Sequence, residues 1–171
     1  MRMPSTSACD IPLGKSNLVR TMPDKSDIRK LVEDVTARSG FTRSIGARVV
    51  AVESGHVAIA LDRRPDLLQF NDYFHGGVIA ALADHAAGAA VTTALPASKI
   101  GVTIGLHLNY LAPARGEALI AKARAIQVGL TIGVAQVDIM TVIDGIEHPC
   151  AVALVTLRAV EMSRGSRTSR P

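Results

Sequence analysis

Tryptophan is missing from this 171-residue chain, and aromatic residues make up only 3% of it. A chain so poor in rings has little with which to stack nucleic-acid bases. The sequence pI of 9.4 points the other way until the charges are placed. Nine of the 19 Lys and Arg residues lie near the ends: Arg2, Lys15, Arg20, Lys25, Arg29, Lys30, Arg164, Arg167 and Arg170. The ten between residues 31 and 160 meet eleven acidic residues there. The middle of the chain is therefore near neutral and offers no basic face to a phosphate backbone. No nucleic-acid partner is expected.

Cysteine is equally scarce. Cys9 and Cys150 make no disulfide framework, and Cys150, in an apolar strand-like run, reads as a small core residue. Such usage suits a reducing compartment. Pro4, Asp10 and Pro12 stand where a signal peptide would need an apolar stretch. A cytoplasmic location is expected. One apolar run, residues 76–95, approaches membrane-spanning length, but Asp84 and His85 stand at its centre. Either residue, charged, would cost roughly 3 kcal/mol in lipid. The run is read as a buried helix, with no membrane partner.

What is present is a single domain's worth of patterned sequence. Residues 1–23 and 163–171 are polar and aperiodic and are read as tails, leaving a domain over 24–162. Asp24 can cap a helix over 25–38, whose Ile28, Leu31, Val32 and Val35 make one apolar face and which Ser39-Gly40 ends. Strand-like runs over 44–52 and 57–61 meet at Glu53-Ser54-Gly55 as a hairpin. A polar loop leads to the long helix, which starts near His75 and stops before Pro96. Four strands follow, over 102–111, 118–128, 131–142 and 149–160. Short Gly turns join them, as expected of an antiparallel meander. The fold class is α+β: a curled antiparallel sheet of about six strands wrapped around a long central helix. That helix is apolar on nearly every side, so it must be covered on most of its surface. The apolar outer face of the sheet and its open edges call for a homodimer, or a dimer of dimers.

Asp84 is the most informative residue. An unpartnered carboxylate in an apolar helix costs several kcal/mol, and another Ala would pack better. It is held either by a structural hydrogen bond between packed helices or for chemistry. His75-Gly76-Gly77 at the helix start favours chemistry.

These residues carry a resemblance. His75-Gly76-Gly77 followed by Ala81-Leu82-Ala83-Asp84 resembles the HGG…LAD signature of PaaI-like acyl-CoA thioesterases, which have the hotdog fold. Leu108-Asn109-Tyr110-Leu111-Ala112-Pro113-Ala114 is similar to that family's third-strand ending. The similarity covers roughly residues 30–160. It implies an acyl-CoA substrate, no cofactor beyond the coenzyme A of the substrate, and Asp84 as the catalytic carboxylate. It implies that the Gly76 N–H polarises the thioester carbonyl and that Thr103 contacts the water or the carboxylate. Gln69 stands six residues before His75, where relatives carry Asn or Gln, and Asn71 competes with it for that polar role.

The chemistry can also be read without the family. Thioester hydrolysis needs an activated water, a donor for the developing oxyanion and a dry slot for the acyl group. Apolar surroundings strengthen Asp84 as a base, although it could also attack directly as a nucleophile. The start of the helix at Gly76 and Gly77 offers unpaired N–H groups and the positive end of the dipole. Gly76 and Asp84 are eight residues apart, roughly 12 Å along a helix. If both act on one thioester, they come from two chains with antiparallel central helices.

Other residues carry weaker expectations. His75 can orient the loop, donate to the substrate or cap the helix. His85 reads as a packed histidine. His107 is expected to share a strand face with Thr103 and Gly105 and to line the pocket. Arg63, Arg64 and Arg115 are either coenzyme A phosphate partners or solvated surface residues. No metal-ligand spacing is present. Two competing readings are a non-catalytic acyl-CoA-binding domain and a dehydratase. The dehydratase would need an Asp–His pair on one substrate, and helix neighbours such as Asp84 and His85 diverge.

Overall fold

The computed structural model describes residues 25–38 and 40–162. The expectations for the tails, Cys9, Asp24 and Ser39 lie outside the described residues. Helix α1, Lys25–Ala37, is followed by a one-turn helix α2, Phe41–Ser44, where a strand was expected to begin. Gly40 precedes it at φ 125, a conformation that breaks the extended run. Strands β1, Arg48–Glu53, and β2, His56–Asp62, form the expected hairpin, with Gly55 at φ 78 in its turn.

A short 3-10 turn, Pro65–Leu67, leads to the central helix α3, Gly76–Ala94. The remaining strands are β3, Lys99–Tyr110, β4, Ala118–Val128, β5, Ile132–Ile143, and β6, Ile146–Glu161. All six strands form one antiparallel sheet in the order β1-β2-β4-β5-β6-β3.

The sheet curls around α3. Leu82, Ala83, Ala86, Ala87 and Ala90 of the helix are fully buried, as are Ile59, Leu61, Leu119, Ile139 and Leu157 of the sheet. Enclosing each of the larger side chains contributes about 1.5–3 kcal/mol. The alanines keep the helix thin enough for the sheet to close on it. Gly133 marks the tightest crossing, because a Cβ there would stand 2.6 Å from Val91 Cγ1. By length and composition α3 could cross a membrane, yet one face of it, from Ile79 to Thr93, is buried in the core of this domain.

Two expectations need correction. The four C-terminal strands are not one meander. Only β4-β5-β6 run in sequence, and β3 lies on the far side of β6 as an edge strand. The loop after β3 explains this. Leu111 and Ala112 both donate to the Cys150 carbonyl, and Phe74 donates to that of Ala114. The chain is thereby led across the start of α3 and re-enters the sheet beside β2. The second correction concerns β3 itself. A bulge skips Ile104, so that Thr103 pairs with Leu157 but Gly105 with Thr156. The extra residue reverses the alternation. His107 then pairs with Leu154, which is 46% exposed, and faces away from α3. It does not share the face of Thr103.

Candidate active site

The start of α3 has an unusual hydrogen-bond arrangement. His75 is the N-cap, in extended conformation, and its Nδ1 accepts the Gly77 N–H at 3.0 Å. Nδ1 is therefore unprotonated, and the ring proton of neutral His75 sits on Nε2. The His75 carbonyl takes the N–H groups of Val78 and Ile79 at 2.9 and 3.2 Å. The Gly76 N–H alone makes no hydrogen bond among the described residues. The sequence offered two open donors, Gly76 and Gly77; the structure closes one and leaves one.

Tyr110, at the end of β3, donates its hydroxyl to the Gly76 carbonyl at 2.8 Å. A Cβ on residue 76 would stand 2.8 Å from that hydroxyl oxygen, so any larger residue would displace the Tyr110 hydroxyl. The loop before the helix is closed by Gln69 N–H donating to Tyr73 and His75 N–H donating to Leu67. It turns through Asp72 at φ 65. Gln69, Tyr73, Gly76, Tyr110 and Pro113 line a cavity of about 470 Å³. Gln69 faces it, whereas Asn71 is exposed and takes no part in the lining.

Asp84 lies two turns further along α3 and borders a different cavity, of about 590 Å³. Thr103 lines the same space. Asp84 Oδ1 is buried and has no hydrogen-bond partner among the described residues. A carboxylate kept for structure would be satisfied. An orphaned one costs roughly 1–3 kcal/mol or more. His85 borders the cavity too, but its Nε2 is 2.9 Å from Oγ1 of Thr36, a residue only 2% exposed. Burial pushes the His85 pKa down, and the neighbouring Asp84 charge offsets part of that. It is a packed, neutral histidine holding α1 to α3.

The arginines serve local structure. Arg63 donates to the Asp72 carbonyl at 2.8 Å and to that of Gly116 at 3.4 Å. Arg64 joins the Asp66 carboxylate at 2.8 Å to the Ser44 carbonyl at 2.9 Å. Arg115 lies over the Tyr73 ring, 4.5 Å from its centroid, and donates to its hydroxyl. Tyr73 lines the first cavity, so Arg115 packs on a residue of that lining. Among the described residues, no three His, Cys, Asp or Glu side chains gather where they could hold a metal ion.

The thioesterase superfamily profile matches residues 71–146, from the loop before His75 to the start of β6. A Halobacterium salinarum protein provisionally named an esterase is 33% identical over 138 residues, covering 77% of this chain and 90% of that protein. The chain belongs to the thioesterase superfamily. The 1,4-dihydroxy-2-naphthoyl-CoA hydrolase of Listeria monocytogenes is 30% identical over 100 residues, 58% of this chain and 81% of that one. Among solved structures, a thioesterase family protein from Silicibacter pomeroyi superposes with a TM-score of 0.76 at 27% identity, covering 79% of this chain and 99% of the other. The E. coli PaaI protein shares the fold, with a TM-score of 0.70 at 17% identity, covering 80% of this chain and 95% of its own. This thioesterase is thus a hotdog-fold thioester hydrolase.

Two residues of the site were not read from the sequence of this thioesterase. Tyr110 lies in the strand-ending motif, but its contact needs the β3 bulge, which no alternation pattern reveals. Thr36, the partner of His85, lies 49 positions away in sequence. A Thr on the buried stripe of α1, four residues after Val32, was the available signal.

Proposed function

We propose that this thioesterase hydrolyses an acyl-CoA, with Asp84 of one chain and the Gly76 N–H of a second chain acting on the same thioester. The observation that carries the reading is the separation of the two groups: each borders its own cavity, and each is left without a partner among the described residues. Two copies with antiparallel α3 helices across a twofold axis would bring each Gly76 over the other chain's Asp84. The exposed edge of β3 offers a place for such pairing.

The reaction then runs as follows. Asp84 takes a proton from a water held with Thr103, and the water oxygen attacks the carbonyl carbon. The oxyanion receives the Gly76 N–H, which is preorganised because the neighbouring amides are already paired. Collapse breaks the C–S bond, and Asp84 returns its proton to the departing thiolate. The products are a free acid and coenzyme A. Direct attack by Asp84 would instead form a mixed anhydride that water cleaves. Single turnover in H2(18)O separates the two routes, since only the anhydride route can place the label in Asp84. Gln69, in the lining of the Gly76 cavity, is a further donor to the carbonyl, and Arg115, against Tyr73 of the same lining, is the arginine best placed for a coenzyme A phosphate. The naphthoyl-CoA activity of the Listeria relative supports a coenzyme A thioester as substrate.

The test is a panel of acyl-CoA thioesters with a thiol reagent, run on the wild type and Asp84→Asn. Thiol release by the wild type and its loss in the variant are expected. Ligand-induced thermal stabilisation without release would instead identify a binding domain.

A further inference from the structure

Helix α1 has two apolar stripes, and the core uses one. Ile28 and Val32 are buried, at 5% and 4% exposure. Leu31 and Val35, on the adjacent stripe, line the cavity that contains Asp84. Val35 is 49% exposed, and Met162 on the same cavity is 42% exposed. The His85–Thr36 contact fixes the last turn of α1 against α3, so this wall has a set position.

We propose that α1 is the specificity element of this thioesterase. Leu31 and Val35 form the wall against which the acyl group lies. They favour a bulky apolar acyl group, an aromatic ring or a medium-length chain, over acetyl. The proposal rests on the reading of Asp84 as the group that acts on the thioester. With the carbonyl carbon beside Asp84, the rest of the acyl group must enter the remaining space. That cavity holds about 590 Å³, within the usual range for small-ligand sites. An acetyl methyl would leave Val35 and Met162 wet. A ring or longer chain would remove their apolar surface from water, which is favourable in proportion to the area covered.

The experiment compares kcat/KM for acetyl-CoA, benzoyl-CoA and octanoyl-CoA in the wild type, Val35→Trp and Val35→Ala. Because Val35 is half exposed, its replacement leaves the core of α1 intact. Thermal midpoint and elution volume are recorded for each protein. The wild type is expected to prefer the two bulky substrates. Val35→Trp should lower the bulky-to-acetyl ratio roughly tenfold or more, the scale of steric discrimination in apolar pockets. Val35→Ala should change it by less. Unchanged ratios in both variants overturn the proposal, as does an equal loss on all three substrates. A shifted elution volume with unchanged ratios also overturns it, and makes α1 a contact between chains. A wild type inert towards every thioester fails differently, because it removes the role of Asp84 itself.

Discussion

The two cavities along α3 are built in opposite ways. At the helix start, shape comes from hydrogen bonds: His75 to Gly77, Tyr110 to Gly76, and the closed loop that carries Gln69. Of the backbone N–H groups at the helix start, only that of Gly76 has no partner among the described residues. At the middle of the helix, mostly apolar walls are pinned by the His85–Thr36 and Gly101–Thr92 hydrogen bonds, and Asp84 Oδ1 has nothing to bond among the described residues. One region isolates a donor and the other isolates an acceptor. Each holds a group without a partner among the described residues, and the rise of the helix keeps the two roughly 12 Å apart within one chain. The lesson is that an incomplete site in each region can be the mark of a complete one shared between chains.

Removing the isolated acceptor should have the largest effect. Asp84→Asn keeps the shape and loses the base, and kcat should fall roughly 10²–10⁴-fold, the usual contribution of a positioned general base. Steady-state thiol release measures it, and retained thermal stability shows that only chemistry was lost. At the other cavity, Tyr110→Phe keeps the ring over Gly76 and removes one hydrogen bond. A fall in kcat of up to about tenfold is expected, with little change in KM. An equal change in KM would mean that Tyr110 serves binding rather than the aim of the donor.

Smaller effects probe how each region is held. His85 secures the Asp84 side by its contact with Thr36. Burial keeps its pKa below the ordinary histidine value. The unfolded chain takes up a proton near pH 6.5 while the folded one resists. Stability should therefore be full above about pH 6.5 and should decline as pH falls below it. Denaturant midpoints across pH 5–8 test this, and His85→Gln should flatten that part of the curve. On the other side, the Cys150 carbonyl anchors the loop after β3, and burial pushes the Cys150 thiol up to about 11. In a Cys9→Ser background, a thiol reagent at pH 8 should label Cys150 only as fast as the chain unfolds.

Much of this was legible in the sequence. The central helix, the limits of β4 and the β1–β2 hairpin follow from local period and turn residues, and one misplaced charge marked Asp84, whose Oδ1 is buried without a partner among the described residues. The misreadings share a cause. The bulge at Ile104 and the position of β3 beside β6 depend on contacts distant in sequence, and they decided where His107 and Tyr110 point. Helix α2 was missed because the run from Phe41 to Ser44 is too short to show a period. Arg63 and Arg64 are basic residues in a loop before a candidate site, a pattern that does not distinguish phosphate partners from arginines tied to loop carbonyls. The closing of Gly77 by the His75 ring required a side-chain rotamer, which spacing does not supply.

The most direct test of the shared site is subunit mixing. Asp84→Asn and Gly76→Ala chains are each prepared, the second spoiled by the Cβ that meets the Tyr110 hydroxyl. After exchange at equal concentrations, half of the dimers are mixed, and each mixed dimer holds one intact Gly76 facing one intact Asp84. Activity should rise from near zero to about a quarter of the wild-type value. If exchange is verified by mass and activity stays at the sum of the two separate variants, the two-chain account is contradicted.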